Sequence, residues 1–178
     1  MPEREVDYDV VKRVRRRLNL IDIGLHDARF ENQFPVPRLR PAGQLQASCS
    51  DPSVEWGRRA AGVLGFYSFA VWGGVLRETP GSEGSSAPIE VDDTIKLFEA
   101  DVSIRVEYEL AGDDSLDDFG DDAIVQFFVA SPRLQVLPYL RVVVQDFTNR
   151  AGWPPLLLPL SDPPARFDPD QYTRLEGL

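Results

Sequence analysis

The feature that most constrains the fold is a long alternation of apolar and polar residues over 98–110. Its apolar members are Phe98, Ala100, Val102, Ile104, Val106, Tyr108 and Leu110. Its polar members are Glu99, Asp101, Ser103, Arg105, Glu107 and Glu109. Successive side chains of a strand point to opposite faces of the sheet. The pattern therefore predicts a long strand in a sheet with one buried face and one wet, acidic face.

Shorter patterns place other elements around this strand. Apolar residues at three- and four-residue spacing predict a first helix over 5–18. Aromatic, β-branched and alternating residues predict strands over 20–30, 44–49, 65–77 and 98–110, with a turn at 51–53. Helices are predicted from a cap at Asp113, Asp114 or Ser115 to Ala130, and from about Leu134 to Arg150, where Gly152 ends the second. This order predicts an α+β fold with a four-stranded antiparallel sheet.

The domain organisation follows from the same order of elements. Residues 1–162 are predicted to form a single domain. The last part, 163–178, contains Pro163, Pro164 and Pro169 and is predicted to be a flexible C-terminal tail.

Charge and cysteine content limit the partners and the compartment. The chain of 178 residues has a formal net charge of −10, which disfavours binding to nucleic acid. Its basic run over 12–17 fits the solvated face of the first helix better than a contact with phosphate or an acidic partner. Cys49 has no cysteine to pair with, and the N-terminal sequence lacks the apolar stretch of a signal peptide. We therefore expect a cytoplasmic protein.

One apolar run, 60–76, approaches the length of a membrane span. Glycines interrupt it at Gly62, Gly65, Gly73 and Gly74, and aromatic or β-branched residues alternate with small ones. This pattern is typical of a strand, so we expect no insertion into a membrane.

The residues give little support for an enzyme. His26 is the only histidine and Cys49 the only thiol, so a Cys/His pair requires these two side chains to meet. The pairs Asp113-Asp114, Asp117-Asp118 and Asp121-Asp122 are interpreted as a helix start and charged surface rather than as a weak cation site. No glycine loop of the known phosphate-binding spacings is present. We predict no catalytic residues, no metal site and no cofactor.

An ordered set of residues near the C-terminus resembles a known family. The set comprises Leu137-Pro138-Tyr139-Leu140-Arg141, Arg150, Gly152, Trp153-Pro154, Leu156 and Leu158. It is similar to the C-terminal signature of the SecB chaperone family, in which a Pro-Tyr step opens the long last helix. An aromatic-Pro step and alternating leucines follow that helix. The extra N-terminal helix and the Gly/Ser-rich connection resemble the SecB-like chaperones of toxin–antitoxin–chaperone operons.

This resemblance implies a SecB-like fold with an additional N-terminal helix and assembly into a homotetramer. It implies an ATP-independent holdase that binds unfolded polypeptides, either for protein export or as the dedicated chaperone of an antitoxin. For the export role the resemblance implies SecA as a partner. Apolar candidates for client contact are Phe34, Val36, Trp56, Trp153, Leu156 and Leu158. The acidic candidates for a basic partner are Glu99, Asp101, Glu107 and Glu109.

Alternatives to these assignments stay open at this level. Each apolar candidate also fits the core or a subunit interface, and the acidic residues also fit a solvated sheet face. A different class of function is a small-molecule or lipid carrier built on the same sheet and helix layer. In that case the aromatic residues Phe66, Tyr67, Phe69 and Trp72 would line a cavity.

Overall fold

The computed structural model describes residues 3–33, 45–76, 94–112, 115–153, 156, 158 and 165–177. These residues form three α-helices, a short 3-10 helix and eight strands. In chain order the elements are β1 (Arg4–Glu5), α1 (Tyr8–Arg15), β2 (Leu18–Asn32), β3 (Leu45–Cys49), β4 (Ser53–Arg59), β5 (Gly62–Leu76), β6 (Thr94–Leu110), α2 (Asp121–Ala130), α3 (Arg133–Arg150), β7 (Arg166–Phe167), the 3-10 helix Pro169–Gln171 and β8 (Tyr172–Arg174).

The strand predicted over 98–110 is the main part of β6, and it lies inside the sheet. β6 pairs antiparallel with β2 on one side and with β5 on the other. The order across the sheet is β2-β6-β5-β4-β8, and β3 pairs with the second half of β5. The predicted alternation is confirmed, because Val102, Ile104 and Val106 are buried and Asp101 and Glu109 are exposed.

The sheet has six strands, so the prediction of four is wrong. One strand that we missed, β4, forms a hairpin with β5 through the two-residue turn Ala60-Ala61. Two-residue hairpin turns usually carry Asn-Gly or Asp-Gly, and this turn has neither. The residue after the turn, Gly62, must be glycine, because a Cβ atom there would lie 1.9 Å from the carbonyl oxygen of Tyr108. The other additional strand, β8, comes from the predicted tail.

α2 and α3 cover one face of the sheet and bury its apolar side chains. On α2, the ring of Phe128 lies 6.1 Å from that of Trp56 and 6.3 Å from that of Tyr67, measured between centroids. Phe127 meets Tyr108 edge-on at 5.1 Å. On α3, Phe147 approaches Phe30 of β2 at 5.7 Å. These contacts place the core between β4, β5, β6 and the two helices.

The bounds of the helices confirm part of the prediction. α3 starts one residue before the expected Leu134 and ends at the expected Arg150. α1 is the predicted amphipathic helix but is shorter, because the Asp7 side chain caps it by accepting hydrogen bonds from the Asp9 and Val10 N–H groups. Val11 and Val14 on its buried side pack it beside α2.

The predicted start of α2 is wrong. The helix begins at Asp121 behind Gly120, and not near Ser115. Arg17 donates a hydrogen bond to the Ser115 carbonyl, and Arg58 donates to the carbonyls of Leu116 and Phe119. These acceptors are backbone groups that a longer helix would need for its own bonds, so the segment 115–120 stays a loop. The alternative caps Asp113 and Asp114 lie outside the described residues.

The flexible tail predicted for 163–178 stays a prediction, but its described part, 165–177, contains two short strands and a 3-10 helix. β7 pairs with β1, and β8 adds to the sheet parallel to β4. Phe167 is buried and its ring meets that of Tyr172 edge-on at 5.9 Å. The proline content does not exclude regular structure here, because Pro169 begins the 3-10 helix that connects β7 to β8.

No single helix of the described residues is long and apolar enough to cross a membrane. α2 and α3, bent by 47° at their junction, reach the length and composition of a span only together. Most of the run 60–76, considered above as a span, forms β5.

Replacing Gly65 tests the packing of α2 on the sheet. A Cβ atom at this position would lie 2.5 Å from the Phe128 ring, so Gly65→Ala forces the ring or the helix to move. We expect a loss of about 1–3 kcal/mol in the free energy of unfolding, measured by urea denaturation. The matched control is Gly24→Ala, because a Cβ atom there meets nothing within 4 Å. Equal stability of the two variants would contradict this packing.

Alkaline pH tests the packing of β8. Burial raises the pKa of Tyr172 from 10.0 to about 12. The folded protein therefore holds the Tyr172 proton more tightly than the unfolded chain does. This difference stabilises the fold fully below pH 10, and the stabilisation is lost as the pH rises towards 12. The free energy of unfolding of the parent protein should fall over this range. In Tyr172→Phe, which lacks the titrating hydroxyl, we expect the fall to be smaller by about 1–2 kcal/mol. Parallel curves for the two proteins would show that Tyr172 is not buried in solution.

Candidate functional site

Four of the six apolar residues predicted to contact a client are buried in the structure. Trp56 and Leu158 are each 1% exposed, Leu156 is 5% exposed and Trp153 is 6% exposed. All four belong to the core, which is the alternative we considered for them. The other two candidates, Phe34 and Val36, lie outside the described residues. The four described candidates therefore offer no accessible surface to a client.

The burial of Trp153 follows from how α3 ends. Gly152 adopts a positive φ of 79° and its N–H bonds to the Asn149 carbonyl, while the Trp153 N–H bonds to the Thr148 carbonyl. This pair of bonds is a Schellman motif, which turns the chain back at the end of a helix. Arg141 on α3 then donates to the Leu158 carbonyl and holds the returning chain against the helix. The residues that carry the family resemblance thus build this return.

The acidic candidates lie on the outer face of the sheet, where cations offset much of their charge. Glu107 pairs with Arg59, and Glu99 pairs with Lys96 and accepts from Gln33. Their neighbour Arg105 pairs with Asp22 on β2. Asp101 and Glu109 are exposed, and no ion pair joins either to another described residue. The face is therefore a mixed-charge surface with an acidic excess.

An accessible apolar surface lies at the β2 side of the sheet. Leu20 and Leu25 pair across from Tyr108 and Ile104, so they point to the helix-covered face, yet they are 37% and 44% exposed. Ile21, in a β-bulge, is 53% exposed. The helix layer stops short of this strand, because α3 reaches it mainly through Phe147 and through Tyr139, whose hydroxyl accepts from the Leu25 N–H at 3.2 Å.

The outward side of α3 carries exposed apolar residues of its own. Leu134 and Val142, two turns apart on the helix, are 53% and 63% exposed, and Pro138 between them is exposed. Together with Leu20, Ile21 and Leu25 they form what we call the apolar rim. β2 is an edge strand among the described elements, so the rim borders a strand edge at which another chain could pair.

Sequence reasoning missed the rim because the pattern of β2 is irregular. Bulges after Leu20 and Leu25 shift the register of β2, so the strand does not follow one alternation from end to end. A signal was present on α3, where Leu134, Pro138 and Val142 recur every fourth residue beside the buried line of Leu137 and Leu140.

The aromatic residues proposed for a carrier cavity do not meet. Tyr67 and Phe69 are buried in the core, and the Tyr67 hydroxyl donates to the Phe128 carbonyl. Phe66 and Trp72 lie on the opposite face of β5, where Phe66 packs against His26 at 4.6 Å between ring centroids. Alternation along one strand separates the two pairs, so no cavity forms between them.

The structure also keeps the two residues needed for a Cys/His pair apart. His26 is on β2 and Cys49 on β3, with β6 and β5 between them, which separates the two by at least roughly 14 Å at the usual strand spacing. Burial raises the pKa of the Cys49 thiol, and the nearby Arg133 lowers it by less. A thiol in this setting is a weak nucleophile at neutral pH.

The aspartates near α2 are engaged in ion pairs. Asp121 pairs with Arg58 and Arg174, Asp122 with Arg4, and Asp118 with Arg17 at 3.8 Å. Within the described residues, no three acidic, histidine or cysteine side chains are grouped as a metal ion would require.

Comparison with known proteins adds a similarity to a solved structure. No protein-family model matches the chain, and no curated protein is similar enough in sequence to count as a relative. Among solved structures, the chain is similar to the Mycobacterium tuberculosis Rv1957 SecB-like chaperone in complex with a ChAD peptide from the Rv1956 HigA1 antitoxin. The TM-score is 0.63 at 18% sequence identity, over 86% of this chain and 97% of that chain.

At this level of identity, the similarity concerns the fold. It spans nearly the whole of both chains, far beyond the C-terminal residues that carry the resemblance in sequence. The present chain therefore has the fold of a SecB-like chaperone, α+β as predicted but with six strands in its main sheet.

Proposed function

We propose that this protein is an ATP-independent holdase of the SecB type that binds non-native polypeptides, with an antitoxin as its favoured client. The observation that carries the proposal is the fold shared with a SecB-like chaperone whose solved complex contains an antitoxin peptide. The apolar rim supports it, because a holdase needs apolar surface that remains accessible in the folded protein.

The rim has the chemistry to hold an extended client. Apolar side chains on β2 and α3 would cover apolar side chains of the client. The burial contributes about 25 cal/mol of binding free energy per Å² of apolar surface and does not depend on the client's sequence. The edge of β2 would supply backbone hydrogen bonds to a client strand, as in other cases of strand addition. Many weak contacts of this kind give affinity for unfolded chains in general.

Three finer parts of the proposal concern assembly and cellular role. We propose a homotetramer in the cytoplasm, consistent with the free Cys49 thiol. We place the dedicated antitoxin role ahead of export, because the similar solved structure is a complex with an antitoxin peptide. For export, the acidic excess of Asp101 and Glu109 would be the contact for SecA.

The holdase activity is tested by light scattering. A chemically denatured client diluted into buffer should scatter less when this protein is present in excess. If a general client aggregates equally with and without it, the same assay with a cognate antitoxin tests the dedicated role. Aggregation of both clients at an unchanged rate would refute the proposal.

The role of the rim is tested with two exposed positions. The double variant Ile21→Asn and Val142→Asn removes apolar contact on both β2 and α3. Each substitution should weaken the binding free energy of the client by about 1 kcal/mol. We expect client affinity to fall roughly thirtyfold, measured by fluorescence anisotropy with a labelled unfolded client. Tyr8→Ser is the control, because Tyr8 is also a large, exposed hydrophobic residue but lies on α1. Unchanged client affinity with a smaller assembly by light-scattering mass would make the rim a subunit interface instead.

A further inference from the structure

The basic end of α1 is a feature that the proposed function does not use. Five cationic residues follow one another with a single interruption, in a chain whose formal net charge is −10. Lys12 pairs with Asp9, and Arg17 pairs with Asp118. The cations of this group without an ion pair to any described carboxylate are Arg13, Arg15 and Arg16, and all three are exposed.

Two of these free cations border a cleft. Arg13 and Arg16 stand at an open cleft of about 570 Å³ between α1 and the start of α2. Its apolar lining is half-buried and consists of Val10, Phe119 and Ala123. The rest of the lining is Arg17, Asp118 and Gly120, so the cleft combines an excess of positive charge with an apolar floor.

The floor is held in place by the two arginines that fix the loop 115–120. Arg17 donates to the Ser115 carbonyl at 2.9 Å, and its guanidinium lies 5.5 Å from the centre of the Phe119 ring. Arg58 donates to the Phe119 carbonyl from the other side. Because Phe119 is anchored through both its ring and its backbone, the cleft exists before any partner binds.

A purely structural account explains only part of this arrangement. Basic side chains in the last turn of a helix interact favourably with the partial negative charge of its C-terminal end. That partial charge is about half an elementary charge, and the last turn of α1 holds Lys12 and Arg15 besides Arg13. It does not explain why Arg13 and Arg16 stand beside an apolar floor and not over open solvent.

We propose that this cleft docks a segment of a partner polypeptide in which acidic residues flank an apolar one. The acidic side chains would pair with Arg13 and Arg16, and the apolar side chain would pack on Phe119 and Val10. A long nucleic acid fits less well, because the chain as a whole is acidic and would repel a polyanion. The cleft lies on α1 and α2 and the rim on β2 and α3, so the proposal stands independently of the holdase activity.

The test uses a fluorescein-labelled synthetic peptide with glutamates on both sides of a phenylalanine, followed by anisotropy. Arg13→Ser together with Arg16→Ser should weaken its binding about tenfold at low salt, and raising the salt should weaken binding to the parent protein. The control, Arg29→Ser with Arg150→Ser, makes the same change in net charge at two exposed arginines elsewhere and should alter the dissociation constant less than twofold. Thermal unfolding confirms that both variants fold.

Three results would overturn the proposal. The first is equal loss of binding in the two double variants, which would indicate a general charge effect. The second is unchanged binding when serine replaces the phenylalanine of the peptide, because the apolar floor would then have no part. The third is tighter binding of an oligothymidylate or of phosphatidylglycerol vesicles than of the peptide, which would assign the cleft to phosphate groups.

Discussion

The packing of α2 on the centre of the sheet is the interaction on which the rest of the structure depends. At Gly65 the sheet has no side chain, so the Phe128 ring can lie directly on its backbone. The Tyr67 hydroxyl two residues along β5 donates to the Phe128 carbonyl and fixes the helix along its length. α1 and the loop 115–120 then rest on α2 and its start. A bulkier residue at this point would displace every element on that side.

Much of the architecture could be read from the sequence because a single pattern dominates it. The alternation in β6 identifies both the strand and its buried face, and the apolar line through Leu137, Leu140 and Val144 locates α3. The errors lie where tertiary contacts outweigh local pattern. Arg58 draws the carbonyls before Gly120 away from helix formation, and the strands near the C-terminus form only because Phe167 pairs with Arg4 and Tyr172 pairs with Val54, far away in the chain.

The candidate site was harder to predict for a related reason. Trp153 and Leu158 attract attention as apolar residues in a proline-rich segment, but the Schellman turn at Gly152 and the hydrogen bond from Arg141 direct them into the core. The rim depends on where the helix layer ends relative to the edge strand, and no local pattern encodes that boundary. The residues that reveal the fold are therefore different from those that offer a surface for binding.

The short ribbon between β1 and β7 has a consequence for synthesis. It pairs Arg4 with Phe167 and Glu5 with Arg166. Contacts between residues so far apart in the chain form slowly and late in folding. During translation the N-terminal residues leave the ribosome first but have no strand to join until residue 167 has been made. The sheet of β2, β5 and β6 can assemble before that moment, whereas the ribbon closes only after it.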